Sequence, residues 1–166
     1  YAKGMLIDTH CHIHESYDLP LAEVLQRATD VEVTDYLCVG TSEKSSQQAV
    51  DFAKKHQGAH AVIGVHPHDT KDGYAKITTI AEAHKGKVVA VGEIGLDYFY
   101  THSPREVQLQ ALRDQIEVAL QYDLPIVFHV REAFDDFWPI FESYKGICGV
   151  LHSFTDTQAN MEKAIA

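Results

Sequence analysis

Val88-Val89-Ala90-Val91-Gly92-Glu93-Ile94 is an apolar run that carries a single carboxylate close to its end, with glycines at positions 92 and 95. Five other runs are built alike: residues 5–8 (MLID), 35–40 (DYLCVG), 60–65 (HAVIGV), 124–130 (LPIVFHV) and 149–154 (GVLHSF). Near-continuous Val, Ile and Leu, without alternating polar residues, is the pattern of a parallel strand covered on both faces. Helical spacing between the runs predicts helices over 19–29, 43–56, 74–84, 104–122, 132–144 and from about 156 onward. Start and stop signals agree. Thr41 or Ser42 precedes the second helix and Gly58 follows it, Ser103-Pro104 opens the fourth, and Pro125 opens the strand beyond.

Six β-α units in succession fit a doubly wound sheet or a (β/α) barrel, and periodicity does not separate the two. The ionisable residues do. Asp8, His10 and His12 fall on the first run, His66 and His68 just past the third, Glu93 on the fourth, His129 on the fifth and His152 on the sixth. A closed barrel gathers all those C-terminal strand ends on one rim, whereas an open sheet spreads them along a line. The expected fold is therefore a TIM-type (β/α) barrel. A complete one takes about 250 residues, so about six of its eight units are expected here. Such a piece exposes parallel sheet edges, which implies a C-terminally incomplete chain, a permuted or swapped assembly, or a smaller barrel.

With 166 residues and 45% hydrophobic content, one globular domain is expected. Its expected span is 5–166, with residues 1–4 left over from expression ahead of a native start at Met5. No apolar run approaches the roughly 18 residues of a membrane span, and no basic-then-apolar leader opens the chain. Cys11, Cys38 and Cys148 are odd in number and lack paired spacing, so a reducing, cytoplasmic setting is expected, with each cysteine packed in the core. Phe134, Phe137, Trp138 and Phe141 recur at helical spacing and are read as a core face rather than a base-stacking platform. Acidic residues outnumber basic ones 24 to 14, which argues against an extended basic groove for a polyanion and leaves local cations as the means of binding one.

Within Asp8-Thr9-His10-Cys11-His12, strand alternation sends His10 and His12 to one side and Cys11 to the other, so two imidazoles can reach one ion. Incidental histidines at a strand end are the plain alternative. Eleven histidines in the chain, several at strand ends with Glu93 between them, favour metal binding. An imidazole and carboxylate donor set suits zinc, manganese, iron or nickel better than calcium. Glu93, inside an apolar run, needs a partner; an ion pair would serve, and so would two metals bridged by its two oxygens. His129 and His152 end their strands in the same sense and are candidate ligands for a second ion. His66 and Arg131 are donor or cationic groups near the same rim that could hold a phosphate, although Arg131 could equally pair with Glu132 or another acid.

Taken together, I-D-T-H-C-H (7–12), G-V-H-P-H (64–68), G-E-I-G-L-D-Y (92–98), H-V-R (129–131) after P-I-V, and H-S-F (152–154) resemble the TatD family of metal-dependent deoxyribonucleases, amidohydrolase-like barrel enzymes. The resemblance implies two divalent ions (zinc, manganese, magnesium, iron or nickel), with His10 and His12 on one, His129 and His152 on the other, and Glu93 bridging as the catalytic carboxylate. It implies His66 and Arg131 as contacts to substrate phosphate, and DNA as the substrate. Two departures stand out: the E-T-D-x-P segment that supplies a further aspartate in the family is absent, and H-S-F-T-D-T replaces the more usual H-C-F. The readings kept beside a nuclease are hydrolysis of an amide, lactone or ester by the same metal pair, and a metal-binding chain without activity.

Overall fold

The computed structural model describes residues 5–16 and 18–166; residues 1–4, read above as left from expression, lie outside them. Strands β1 (Leu6–Cys11), β2 (Val33–Val39), β3 (Ala59–Ile63), β4 (Val88–Asp97), β5 (Ile126–Arg131) and β6 (Gly149–Leu151) alternate with helices α1 (Leu21–Asp30), α2 (Glu43–Lys55), α3 (Lys76–Ala83), α4 (Arg105–Gln121), α5 (Phe134–Ser143) and α6 (Gln158–Ile165). A short 3-10 turn spans Thr70–Asp72. Every neighbouring pair is parallel, and the order across the sheet is the order along the chain. A doubly wound sheet reverses its direction of growth at a switch point; this one never does, as in a barrel wall. The wall curls until the ring of His10 in β1 stacks on that of His152, just past β6, with centroids 3.5 Å apart. The fold is six β/α units of a TIM-type barrel, as expected.

Alternation along the strands separates two cores. Tyr36, Cys38, Ala61, Ile63, Ile94 and Phe128 face outward and pack against Ala49, Val50, Leu112, Ile116 and Phe137 of the helices. Val39, Val62, Ala90 and Val127 form a smaller cluster on the inner face. Between β1 and β6 the interior opens into a cavity of about 510 Å³, lined among others by His10, Leu37, Val127 and His152. Local signals place the helices. The hydroxyl of Ser42 accepts from the Ser45 amide at 3.1 Å to start α2, and Pro104 precedes the first turn of α4. Trp138, Phe134 and Phe137 are buried on one face of α5, as their spacing predicts, and the Trp138 indole N–H donates to Asn160 of α6 at 2.7 Å.

Two buried glutamines fix the strand ends that matter most. Gln108 and Gln115 lie seven residues apart, on one face of α4. The Gln108 amide accepts from the Asp97 N–H at 2.9 Å and donates to the Asp97 carbonyl at 3.1 Å. Gln115 accepts from the Val65 N–H at 2.7 Å and donates to its carbonyl at 3.3 Å. Helix α4 thus holds the ends of β3 and β4 by their backbones.

Strand bounds differ from the sequence reading by a residue or two at most ends, and by more at three strands. β1 runs on to Cys11 and β4 to Asp97, while β6 stops before His152. β4 pairs with β3 over Val88–Val91 and with β5 over Val91–Asp97, whereas β6 is paired to β5 alone. One cysteine reading is corrected: Cys38 is buried and Cys11 partly buried, but Cys148 is exposed, because it leads into the edge strand β6. No helix among the described residues is long and apolar enough to cross a membrane.

Gly95 has a φ of +153°, and a Cβ there would lie 1.8 Å from the carbonyl oxygen of His129. Gly95→Ala is therefore expected to destabilise the protein by roughly 3 kcal/mol, the upper range for overpacking, and to lower the melting temperature by about 6–12 °C. Thermal denaturation followed by circular dichroism measures it; an unchanged midpoint would show that β4 and β5 do not approach this closely.

Candidate metal centre

β4 and β5 form the centre of the site, and a bulge aims its key side chain. Gly92 pairs with Val127 and Ile94 with Phe128, leaving Glu93 as the extra residue between two paired positions. Glycine is required at 92, where a Cβ would meet the Cβ of Val127 at 2.6 Å. Past the bulge, Glu93 and Asp97 share a face of β4 by alternation, and His129 and Arg131 share a face of β5. Asp97 and Arg131 are register partners.

Glu93 is 5% exposed, and histidines from different strands converge on it. His10 Nε2 lies 3.5 Å from Oε2, and His129 Nδ1 lies 3.1 Å from Oε1. Ligand-capable atoms of His10, Glu93 and His152 lie within 4.8 Å of one another, and so do those of His66, Glu93 and His129. Two three-residue groups therefore meet at one carboxylate. Burial pushes the Glu93 pKa up, but the bonds to His10 and His129 outweigh it and hold the group well below the usual carboxylate range. Burial likewise disfavours charge on His129, yet Glu93 and Asp97 raise its pKa above the ordinary imidazole value. Both shifts favour the charged form of each partner.

The grouping differs from the sequence expectation in its pairs. His152 lies beside His10, across the gap between β1 and β6, and the residue grouped with His129 is His66. His12 falls in neither group; its ring centroid is 5.3 Å from that of His10. Its Nδ1 lies 2.8 Å from the Val39 carbonyl, which can only accept, so Nδ1 carries a proton and, in the neutral ring, Nε2 is the nitrogen with the lone pair. A backbone bond of this kind sets the tautomer of a metal-ligating histidine. In His66 the relation is reversed. Its Nδ1 accepts from the His68 amide at 3.2 Å, so Nε2 bears the proton in the neutral ring. Burial, aided by His129, lowers its pKa to about 3. His66 is then a neutral N–H donor, a form suited to an anion. Arg131 lies over the Phe99 ring, 3.8 Å from guanidinium carbon to centroid, rather than in an ion pair with Glu132.

Asp97 and His68 complete the cluster without having been assigned roles from sequence. The Asp97 side chain is fully buried apart from a trace of surface, and its Oδ2 lies 2.9 Å from both His129 Nε2 and His68 Nε2. Oδ1 accepts from the amides of Phe99 and Tyr100 at 3.0 Å each. Burial opposes ionisation of Asp97, but the Tyr100 amide and the two imidazoles keep it below the normal carboxylate range. A carboxylate behind an imidazole, with a second carboxylate in front, is the arrangement that fixes the orientation and basicity of a metal ligand. The signal was present in the sequence: Asp97 stands four residues beyond Glu93 on one strand. Nitrogen and carboxylate donors in two groups sharing a bridge fit divalent ions of the zinc, manganese or iron type.

The family model described as TatD related DNase matches residues 7–166. The chain is 37% identical over 158 residues to the Bacillus subtilis protein named "Uncharacterized metal-dependent hydrolase YabD", covering 91% of this chain and 61% of that protein. It is 34% identical over 148 residues to the Shigella flexneri "3'-5' ssDNA/RNA exonuclease TatD", covering 87% and 57% respectively. Among solved structures, the Escherichia coli TatD homologue YjjV superposes with a TM-score of 0.84 at 29% identity, covering 96% of this chain and 64% of that one. The chain spans about three-fifths of the length of these relatives.

Asp97→Asn would leave His129 without its second carboxylate. The expected result is a 10- to 100-fold rise in the Kd for manganese, read by isothermal titration calorimetry, and an unchanged Kd would remove Asp97 from the metal centre. A second expectation concerns His14, whose side chain is fully enclosed, with Nε2 3.1 Å from the Ser45 hydroxyl and Nδ1 unpartnered among the described residues. Burial lowers its pKa to about 4, against about 6.5 in the unfolded chain. Between those values the unfolded state binds the extra proton, so this group's share of stability is complete above pH 6.5 and declines as pH falls towards 4. Urea unfolding of the metal-free protein should show a smaller drop between pH 7 and pH 5 in His14→Gln than in the parent; an equal drop would contradict the assignment.

Proposed function

The chain belongs to the TatD-related DNase family, and on that premise we propose that it is a hydrolase of phosphodiester bonds in DNA, working with two divalent metal ions at the rim of the barrel. The observation that carries the reading is the division of Glu93 between two histidine groups, one at each carboxylate oxygen. His10 lies on the Oε2 side and His129 on the Oε1 side, with His152 grouped with the first and His66 with the second; Glu93 would bridge the two ions, and His12, beside His10, would add a further ligand. The name of the Shigella flexneri relative, an exonuclease of single-stranded DNA and RNA, supports a nucleic acid as substrate.

Divalent ions in such a centre supply Lewis-acid charge that polarises the phosphodiester and lowers the pKa of the attacking water. The protein's own groups do the rest. Glu93, free of its proton throughout the neutral range, keeps the two halves of the centre in register. His129 would be a ligand through Nδ1, the nitrogen facing Glu93, while Asp97 holds the proton on Nε2 and with it the ring's orientation. His66, neutral and protonated on Nε2, donates to a phosphoryl oxygen without adding a mobile proton. Arg131, on the same face of β5 as His129, offers a permanent cation to a neighbouring phosphate.

Elemental analysis after loading with manganese is expected to give two ions per chain, with nucleotide release from short single-stranded DNA and no turnover of amide or ester substrates. Glu93→Ala should lose most of the metal and all detectable hydrolysis. Full metal uptake by that variant would remove the bridging role, and turnover of esters in place of DNA would move the chain to another substrate class.

A further inference from the structure

The loop after β4 carries exposed aromatic side chains that the metal centre does not use. Phe99 is 48% exposed and Tyr100 41%, and they are the two aromatic members among the exposed large apolar residues described. The other such residues lie largely on the edge strands β1 and β6 or on helices. An exposed aromatic pair at a rim calls for a reason, since burial of either ring would be favourable.

The loop is not free to fold the rings away. Its start is fixed by the Phe99 and Tyr100 amides, both bonded to Asp97 Oδ1. Its end is fixed by Ser103, whose hydroxyl donates to the His68 carbonyl at 2.6 Å and whose carbonyl accepts from Gln108 at 3.0 Å. Tyr98 is tied down separately, its hydroxyl donating to Asp136 at 2.7 Å. Arg131 lies 3.8 Å from the Phe99 centroid and 5.1 Å from that of Tyr100. Tyr100 also meets His68 edge-on at 5.2 Å and stacks near His102 at 5.3 Å. One carboxylate, Asp97, thus holds both a histidine of the centre and the aromatic ridge beside it, so their separation is fixed.

We infer that Phe99 and Tyr100 form a nucleobase-stacking subsite, which holds the base of a nucleotide next to the scissile phosphate while Arg131 faces the backbone phosphate between them. The inference rests on the reading of this site as a DNA phosphodiesterase. Aromatic faces beside a guanidinium are the chemistry that binds an unpaired nucleotide, and stacking is tolerant of base identity because every base has a π-face. It also meets a need of this chain. With a net charge of −10 there is little general attraction for a polyanion, and stacking provides affinity that owes nothing to charge.

The test is equilibrium binding, by fluorescence anisotropy with manganese present, of a labelled phosphorothioate oligothymidylate and of an equally long phosphorothioate chain of abasic residues. The parent protein is expected to bind the base-bearing chain about 10- to 100-fold more tightly. Phe99→Ala/Tyr100→Ala should bind both chains alike, at the parent's abasic affinity. Phe99→Leu, which keeps apolar contact under Arg131, should lose part of the preference, and Phe99→Trp should keep it. Equal binding of the two chains by the parent, or undiminished preference in the double variant, would overturn the stacking subsite and leave the nuclease reading standing. No binding of either chain would overturn both.

Discussion

A carboxylate inside the barrel wall is the constraint on which the rest of the site depends. Removing an ion from water costs several kcal/mol even after relaxation, so Glu93, at 5% exposure, stays charged only where donors surround it. Those donors come from all around the rim: His10 from β1, His66 beyond β3, His129 from β5 and His152 beyond β6. No flat sheet brings the first and sixth strands to a residue on the fourth. The curvature that stacks His10 on His152 is thus the same feature that makes Glu93 tolerable, and the bulge with Gly92 and Gly95 is what lets β4 present it without collision.

The metal-free protein balances this charge with its own histidines. Glu93 is held below, and His129 above, its ordinary pKa, as the facing members of a charge-assisted pair are. The far sides of the candidate ligands are already bonded: His12 to the Val39 carbonyl, His129 to Asp97. Helix α4 adds rigidity from outside the barrel, with Gln108 clamping the residue that supports His129 and Gln115 clamping Val65, next to His66. The candidate centre is thus held in its arrangement by the fold itself.

Much of this was readable in the chain. Runs of Val and Ile marked the strands, and a polar residue recurring at the same end of each run marked the rim, because parallel strands must place like ends together. Motifs read along the chain did not show which histidines face each other across the barrel. His129 and His152 read as a pair because each ends its strand in the same sense; the closed wall in addition sets the His152 ring on that of His10, which no local pattern announces. Asp97 could have been read from its period-two relation to Glu93. Cys148 could not, since its exposure follows from β6 being an edge, a matter of partners rather than of local pattern. Phe99 and Tyr100 escaped for a related reason: an aromatic pair after a strand reads as core until the anchored loop shows that neither ring can turn inward.

An acidic chain that handles a polyanion must concentrate attraction where the chemistry is. The 24 carboxylates against 14 basic side chains make distant approach unfavourable, and at physiological salt such repulsion fades within about 8 Å. Inside that range the balance is set by a few groups, namely Arg131, the donor face of His66 and the cations that the histidine groups suit. A site of this kind neutralises few phosphates, so counterion release contributes less to binding than in a basic groove. On the proposed reading, shape and stacking supply what charge does not, and the ridge of Phe99 and Tyr100, joined through Asp97 to His129, is the feature of the fold suited to it.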